Sequence, residues 1–164
     1  MAAADADDVV ANLPKAQFAF PGPLRERLIA LVLAGTKTAT AGLVADYIAD
    51  GDVIPRPGDR EVVIDSGGRS VAIIETTRCE ITTISKVTDA FARDEGEGYA
   101  DATDWRRSHE RFWGSYIDDI RNALGDPAFQ LQDSTPVVCQ WIRVVRRLDQ
   151  GRSPTGGSEP DATG

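Results

Sequence analysis

The stretch Gly35-Thr36-Lys37-Thr38-Ala39-Thr40 places one lysine among small and hydroxyl-bearing residues, and no other charged residue occurs between Arg27 and Asp46. A lysine ammonium is strongly hydrated, so its isolation in apolar sequence calls for an explanation. Two interpretations are open. In the first, Gly35 ends a helix in a left-handed conformation, and Lys37 interacts with the negative end of the helix dipole. In the second, Lys37 and a threonine face a pocket for a small molecule or nucleotide.

The residues before this stretch have the pattern of a helix that begins at Pro23, a favoured residue for the first helical position. Its apolar face has the spacing i, i+4, i+7 and i+8 and consists of Leu24, Leu28, Leu31 and Val32. After Gly35, the threonines favour an extended chain from Thr36 to Thr40. In a straight strand, Lys37 and Thr40 would point to opposite faces, so a shared site requires a bend between them.

The rest of the chain alternates between strand-like and helix-like patterns. Residues 43–50 fit either a short helix or an extended linker. We predict the following further elements: strands at Glu61–Asp65, Ser70–Cys79, Ile81–Ile84 and Val137–Leu148, and helices at Lys86–Asp94 and Asp101–Leu124. Asp101 or Thr103 can cap the last helix, and Gly114 can bend it. About five strands with helices between them predict an α+β fold.

These features together resemble the ASCH domain family of the PUA-like superfamily, in which Gly-x-Lys-x-x-Thr follows an apolar helix. The resemblance continues through Pro57-Gly58-Asp59, Val71–Thr77, Phe91–Gly98, Trp105–His109 and Pro136–Cys139. It implies a small PUA-like mixed β-barrel flanked by helices, with a cleft near the lysine. The N-terminal arm and the insertion that carries an aromatic helix are similar to the longer ASCH subfamily.

The domain organisation follows from composition and from this resemblance. Residues 1–19 are rich in alanine and aspartate, and we expect them to form a mobile arm. Residues 20–148 form the ASCH domain. Residues 149–164 are rich in glycine, serine, proline and acidic residues, and we expect a disordered tail.

The acidic balance favours a small partner over a polymer. The chain has 164 residues and a net charge of −8, of which residues 16–148 carry −4. Tight binding to RNA depends on many cation–phosphate contacts, so we expect only weak, salt-dependent RNA binding. Two arginine groups could provide it: Arg106, Arg107 and Arg111, and Arg143, Arg146 and Arg147.

Location is predicted from three further observations. No apolar run is long enough to cross a bilayer, and the N-terminus lacks the basic start of a secretory signal. Cys79 and Cys139 lie far apart in apolar runs, which favours two free thiols. We therefore predict a cytoplasmic protein without a membrane partner.

The resemblance also implies a catalytic set. Small ASCH proteins act as amidohydrolases of acylated nucleosides with a Lys-Thr-Glu set, which corresponds to Lys37, Thr40 and Glu95 in this chain. Thr40 would be the nucleophile, Lys37 the base that activates it, and Glu95 the group that orients the lysine. Glu97 lies two positions from Glu95 and is the alternative acidic residue.

Other candidate residues have both a structural and a functional interpretation. Residues 94–98 are an acidic, glycine-rich run that fits a solvated loop, a carboxylate metal site or part of the active site. The chain has one histidine, which gives little support for a transition metal, and we expect neither a metal nor a cofactor. His109 and Trp105 fit either the core or the wall of a substrate site, where an indole could stack on a base. Thr38 is a further substrate-binding candidate, and Glu75 either pairs with Lys37 or lies at a strand end.

Two functions from different classes follow. The first is hydrolysis of an amide bond on an acylated nucleoside or a similar small molecule. The alternative is an RNA-binding module, which could also be a metal-independent ribonuclease in which Lys37 stabilises developing phosphorane charge.

Overall fold

A computed structural model of the chain describes residues 8–148, and their centre is a mixed five-stranded sheet. The strands are β1 (Lys15–Ala16), β2 (Ala39–Leu43), β3 (Arg60–Ile64), β4 (Ser70–Thr83) and β5 (Pro136–Arg147). Their order is β1-β3-β4-β5-β2, with β1 parallel to β3 and all other pairs antiparallel. Within the described range, β1 and β2 do not pair with each other, so the sheet is barrel-like without closing. The predicted α+β class is confirmed.

Helices cover the sheet: α1 (Pro23–Leu33), α2 (Val44–Asp50), α3 (Asp89–Asp94), α4 (Ala102–Gly114) and α5 (Ile117–Leu124), with a 3-10 turn at Ile84–Lys86. Residues 8–12 are also helical. The Asp101 carboxylate caps α4 by accepting a hydrogen bond from the Asp104 amide at 2.8 Å, as predicted. The predicted helix at 101–124 is two helices, because the backbone leaves helical geometry at Tyr116, shortly after Gly114.

The longest pairing joins β4 to β5 and divides the core into two parts. The predicted strands at 70–79 and 81–84 form one continuous β4, which bends at register shifts between Ile73 and Ile74 and between Thr76 and Arg78. One core cluster packs helices α3, α4 and α5 on the sheet and contains Phe91, Trp105, Trp113 and Ile120. The other lies under α1 and contains Leu28, Ile29, Val32 and Ile74. Strand β5 contributes residues to both clusters, with Val137 and Cys139 in the first and Ile142 in the second. Burial on both faces of the strand explains its nearly continuous apolar sequence.

The N-terminal boundary of the domain lies earlier than predicted. Lys15 and Ala16 add a parallel strand beside β3, and Phe18 is buried in the α1 core cluster. The side chain of Arg25 donates a hydrogen bond to the Phe18 carbonyl at 3.0 Å, which holds this segment in place. Residues 15–19 are therefore part of the packed domain. The first seven residues of the predicted arm and the whole predicted tail at 149–164 lie outside the described residues.

Two further observations concern the cysteines and the helices. Cys79 and Cys139 are both free, and burial raises the pKa of the Cys139 thiol to about 12. Within residues 8–148, no helix has the length and apolar character needed to cross a bilayer.

Candidate functional site

The turn after α1 carries Lys37 into the protein. Gly35 has a φ of +75°, a left-handed conformation that glycine adopts without steric cost. The amides of Thr36 and Lys37 both donate to the Leu31 carbonyl at 3.0 Å, which ends the helix. The Lys37 side chain is only 1% exposed. The two interpretations of this stretch therefore describe one structure: the backbone caps the helix, and the lysine enters an internal site.

The acidic loop at residues 94–98 docks directly on this turn. The Thr38 amide and hydroxyl both donate to the Asp94 carbonyl, at 2.9 and 3.1 Å. Gly96 has a φ of +67°, and a Cβ atom there would lie 2.1 Å from the Thr36 carbonyl oxygen. Only glycine allows so close an approach of the two backbones. The loop is therefore an inner wall of the site and not a solvated connection.

Lys37 pairs with Glu97. Its Nζ lies 2.8 Å from Glu97 Oε2, and both side chains are mostly buried. The Tyr99 hydroxyl lies 3.3 Å from Glu97 Oε1 and 3.3 Å from the Ser108 hydroxyl, so it links the carboxylate to α4. The resemblance assigned the lysine-orienting role to Glu95, but the direct partner of Lys37 is Glu97.

Glu95 faces His109 instead. Its side chain is fully buried, and Glu95 Oε2 lies 3.2 Å from His109 Nε2, within ion-pair distance. Neither oxygen of Glu95 has a well-directed hydrogen bond within the described residues. His109 Nδ1 lies 2.9 Å from the Trp105 carbonyl, and because a carbonyl only accepts, Nδ1 carries a proton. Without a further proton, both His109 Nε2 and Glu95 Oε2 are hydrogen-bond acceptors. A hydrogen bond between them therefore requires a proton on either the imidazole or the carboxylate.

The two glutamates differ in proton affinity. Burial acts to raise the pKa of Glu95, but His109 and then Lys37 outweigh it, and the pKa lies below its ordinary value. For Glu97, burial and the nearby Glu95 charge together outweigh Lys37, so its pKa lies above the ordinary value. Of the two carboxylates, Glu97 accepts a proton more readily.

These groups open onto a cavity of about 700 Å³ between the sheet and helices α1 and α4. Of the predicted site residues, five line it: Lys37, Thr40, Glu95, Glu97 and His109. The Thr40 hydroxyl forms no hydrogen bond with another described residue, so it is available to a ligand. Thr40 stands directly opposite Gln140 in the β2–β5 pairing, which places the two side chains on one face of the sheet.

Three other candidate residues lie outside the cavity lining. Trp105 is fully buried and does not line the cavity; its ring stacks behind His109 with centroids 4.2 Å apart. Thr38 is exposed and holds the acidic loop, and it too lies outside the cavity lining. Glu75 pairs with Arg60 and Arg143 and not with Lys37, because β4 carries it to the outer surface near these arginines.

The sequence analysis missed a second group of polar residues in the cavity: Asp46, Glu61, Tyr99, Tyr116 and Gln140. One signal was present. Gln140 is an uncharged polar residue in the apolar run from Val137 to Ile142, the same kind of isolation that identified Lys37. The others depend on pairings between distant elements, such as the hydrogen bond of 2.7 Å that the Tyr116 hydroxyl donates to Asp46. Within the described residues, no group of three or more His, Cys, Asp or Glu side chains could hold a metal ion.

Comparison with solved structures supports this architecture. A crystal structure of a protein from Enterococcus faecalis V583 has a TM-score of 0.69 and 27% identity, over 82% of this chain and 77% of that one. The crystal structure of an ASCH domain from Lactobacillus crispatus JV V101 also has a TM-score of 0.69, with 23% identity over 87% of this chain and 85% of that one, and shows the shared fold. No curated protein matches the chain.

The family assignment rests on sequence as well as fold. The model of the ASCH domain matches residues 16–146, which is most of the chain and includes every residue of the lysine site. Membership of this family supports the assignment of the chain as a PUA-like module of the RNA-binding or hydrolase type. By sequence and by fold, the chain belongs to the ASCH domain family.

Proposed function

We propose that this ASCH domain hydrolyses an amide bond of a small molecule, such as an acylated nucleoside, in the cavity beside Lys37. One observation carries the proposal. A buried lysine with a carboxylate partner lies in the same cavity as a threonine hydroxyl that forms no hydrogen bond with residues 8–148. A nucleophilic hydroxyl needs a nearby base, and the cavity supplies an amine for that role.

Glu97 makes the amine available as a base. The Lys37–Glu97 pair is buried, and the pKa of Glu97 is raised mainly by that burial. In this proposal the amine acts in its neutral form, and Glu97, whose Oε2 lies 2.8 Å from Lys37 Nζ, is placed to hold the proton that the amine gives up. In this proposal, Glu97 takes the orienting role that the resemblance gives to Glu95.

The reaction then has two stages. Lys37 accepts the Thr40 hydroxyl proton as the oxygen attacks the amide carbon, and the resulting tetrahedral intermediate loses the amine, which takes the proton from Lys37. This stage breaks the C–N bond and leaves an ester on Thr40. Water, deprotonated by Lys37, attacks the ester and releases the acid, and the proton returns to the threonine oxygen.

Mutants of the two central residues test the chemistry. On nucleosides acylated on an exocyclic amine, Lys37→Ala and Thr40→Ala should each lower kcat/KM by at least about 100-fold. Because the two residues act as a unit, the double variant should be little worse than either. Thr40→Ser should retain turnover because it keeps the hydroxyl. The control is Thr77→Ala on the exposed face of β4, which should have wild-type activity. Wild-type activity in the Thr40→Ala variant would exclude Thr40 as the nucleophile.

The RNA-binding alternative has less support from the surface. Acidic groups pair with several of the arginines that would contact phosphate: Arg106 with Glu110 and Asp133, and Arg143 with Glu75. A titration with labelled single-stranded RNA should show weak binding that falls steeply with salt. Tight binding that persists at high salt would favour the RNA-binding module over the hydrolase.

A further inference from the structure

The cavity has a second polar wall, next to Thr40, that is rich in hydrogen-bond acceptors. Gln140 lies there and is 4% exposed. Its amide nitrogen donates to Glu61 Oε2 and to the Thr76 hydroxyl, both at 2.8 Å. An amide nitrogen has two hydrogens, so both are in use. The amide oxygen of Gln140 accepts no hydrogen bond from residues 8–148 and is left for a ligand.

The neighbouring carboxylates have the same surplus of acceptors. Tyr116 donates its one hydroxyl hydrogen to Asp46 Oδ2 at 2.7 Å. Within the described residues, the second oxygen of Asp46 and the second oxygen of Glu61 accept no hydrogen bond. Both residues line the cavity. Within the described residues, Gln140 and Tyr116 therefore spend their donors on protein acceptors, and Asp46, Glu61 and Gln140 each keep an acceptor without a donor. The Tyr47 hydroxyl also lines the cavity and forms no hydrogen bond with another described residue.

Within the described residues, none of the cations that line the cavity forms an ion pair with Glu61 or Asp46. Lys37 is paired with Glu97. Arg27 is exposed and donates to the Glu97 carbonyl at 3.3 Å. Lys15 is exposed and forms no ion pair within the described range. Asp50 and Asp52 also line the cavity and add negative charge.

We propose that Glu61 and Gln140 form a subsite for a positively charged amino group of the ligand, an ammonium or an amidinium, and that Asp46 adds negative charge to the same cavity. Such a group supplies the missing donors and forms a charge-assisted hydrogen bond with the Glu61 carboxylate. A phosphate would meet carboxylates and an amide oxygen, so the subsite selects against phosphorylated ligands. The inference names a ligand class for the cavity of the proposed function, and its link to catalysis rests on that function.

The position of the subsite sets which part of a ligand it recognises. Gln140 and Thr40 are direct cross-strand neighbours, and such pairs have Cβ atoms about 5 Å apart. The recognised cation therefore lies within a few bonds of the group that Thr40 contacts. Phe20 is exposed at the same cavity, with its ring centroid 5.6 Å from that of Phe112, and offers a surface for a planar or apolar part of the ligand.

Three probes of one shape test the subsite without any chemistry: benzylamine, which is a cation at neutral pH, benzyl alcohol and benzoate. Calorimetry or NMR titration should show benzylamine binding about tenfold more tightly than benzyl alcohol, with benzoate weakest. Glu61→Gln should reduce the preference for benzylamine to less than about threefold. The matched control is Glu75→Gln, a carboxylate on the outer face of the sheet that pairs with arginines, and it should keep the wild-type preference.

A pH series on the unmodified protein gives an independent measurement. Burial raises the pKa of Glu61 despite the hydrogen bond from Gln140, and the groups that face it are Asp52, Asp59, Tyr47 and Cys79. As the pH falls from neutral, benzylamine stays protonated while Glu61, with its raised pKa, takes up a proton before an ordinary glutamate does. The affinity should fall as the pH is lowered, and this result does not depend on any variant folding.

The outcomes separate the subsite from the catalytic proposal. Equal binding of benzylamine and benzyl alcohol, no measurable binding of benzylamine, or an unchanged preference in a folded Glu61→Gln variant would each overturn the subsite. Benzylamine has no amide bond, so its binding is independent of hydrolysis. If the protein binds benzylamine selectively but hydrolyses no acylated nucleoside, the result contradicts the proposed function and still supports the subsite.

Discussion

Two ion pairs of equal length lie in opposite environments in this protein. Lys37 and Glu97 approach to 2.8 Å inside the cavity, and Arg143 and Glu75 approach to 2.8 Å on the outer surface of the sheet. The Lys37 side chain is 1% exposed and that of Arg143 is 62% exposed. Distance alone therefore says little about what an ion pair does.

The environment decides the consequence of each pair. Water around Arg143 screens its attraction to Glu75, and exposed pairs contribute at most about 1 kcal/mol. Inside the cavity, Lys37 compensates the buried Glu95 and the mostly buried Glu97, and the proton affinities of both carboxylates depend on it. A buried pair costs solvation free energy, so its presence alone is not evidence of added stability.

The largest expected effect is the loss of the buried cation. Lys37→Met keeps most of the apolar length of the side chain but leaves Glu97 and Glu95 without the ammonium. We expect a loss of about 3–5 kcal/mol in the free energy of unfolding at neutral pH, measured by urea denaturation. The loss should shrink as the pH falls, because Glu97 then becomes neutral by protonation. A variant as stable as the wild type at every pH would show that the pair is not effectively buried.

The next effect tests how the loop brings the pair together. Gly96→Ala places a Cβ atom 2.1 Å from the Thr36 carbonyl oxygen, so the loop must move away from Lys37. Gly125 has nearly the same φ, +64° against +67°, but a Cβ atom there has no neighbour within 4 Å. Gly125→Ala should therefore cost only the conformational strain, about 1 kcal/mol, whereas Gly96→Ala should cost about 2–3 kcal/mol more in thermal or urea unfolding.

Equal losses from the two glycine variants would mean that the loop rearranges without strain. The acidic loop would then not be held against the lysine turn, and the assignment of Glu97 as the partner of Lys37 would lose its structural basis.

The smallest effect belongs to the exposed pair. Arg143→Met removes the contact with Glu75, yet Arg60 still pairs with that carboxylate. The free energy of unfolding should change by less than about 0.5 kcal/mol, and the change should vanish in high salt. A loss comparable to that of Lys37→Met would show that exposure does not separate the two pairs.

Local sequence predicted several elements of this structure because local contacts decide them. Gly35 ends α1 through its left-handed conformation, and Asp101 caps α4 through a bond to a residue three positions away. Residues 43–50 fitted either a short helix or an extended linker, because so short a segment fits both until packing selects one, and the structure shows a helix at Val44–Asp50. The α4–α5 break was anticipated at Gly114, but only the structure places Tyr116 at the break, where it reaches Asp46.

The candidate site divides in the same way. By itself, the sequence determined that Lys37 is isolated from other charges, that two glutamates flank a glycine, and that the chain resembles the ASCH family. Only the tertiary structure decided that Lys37 pairs with Glu97 and that Glu95 faces His109. It also decided that Trp105 stacks on His109 outside the cavity lining, and that Gln140 stands opposite Thr40. The reason is physical. Positive φ at Gly96 and strand register set side-chain directions over distances of 60 to 100 residues, and no pattern of neighbouring residues encodes those directions.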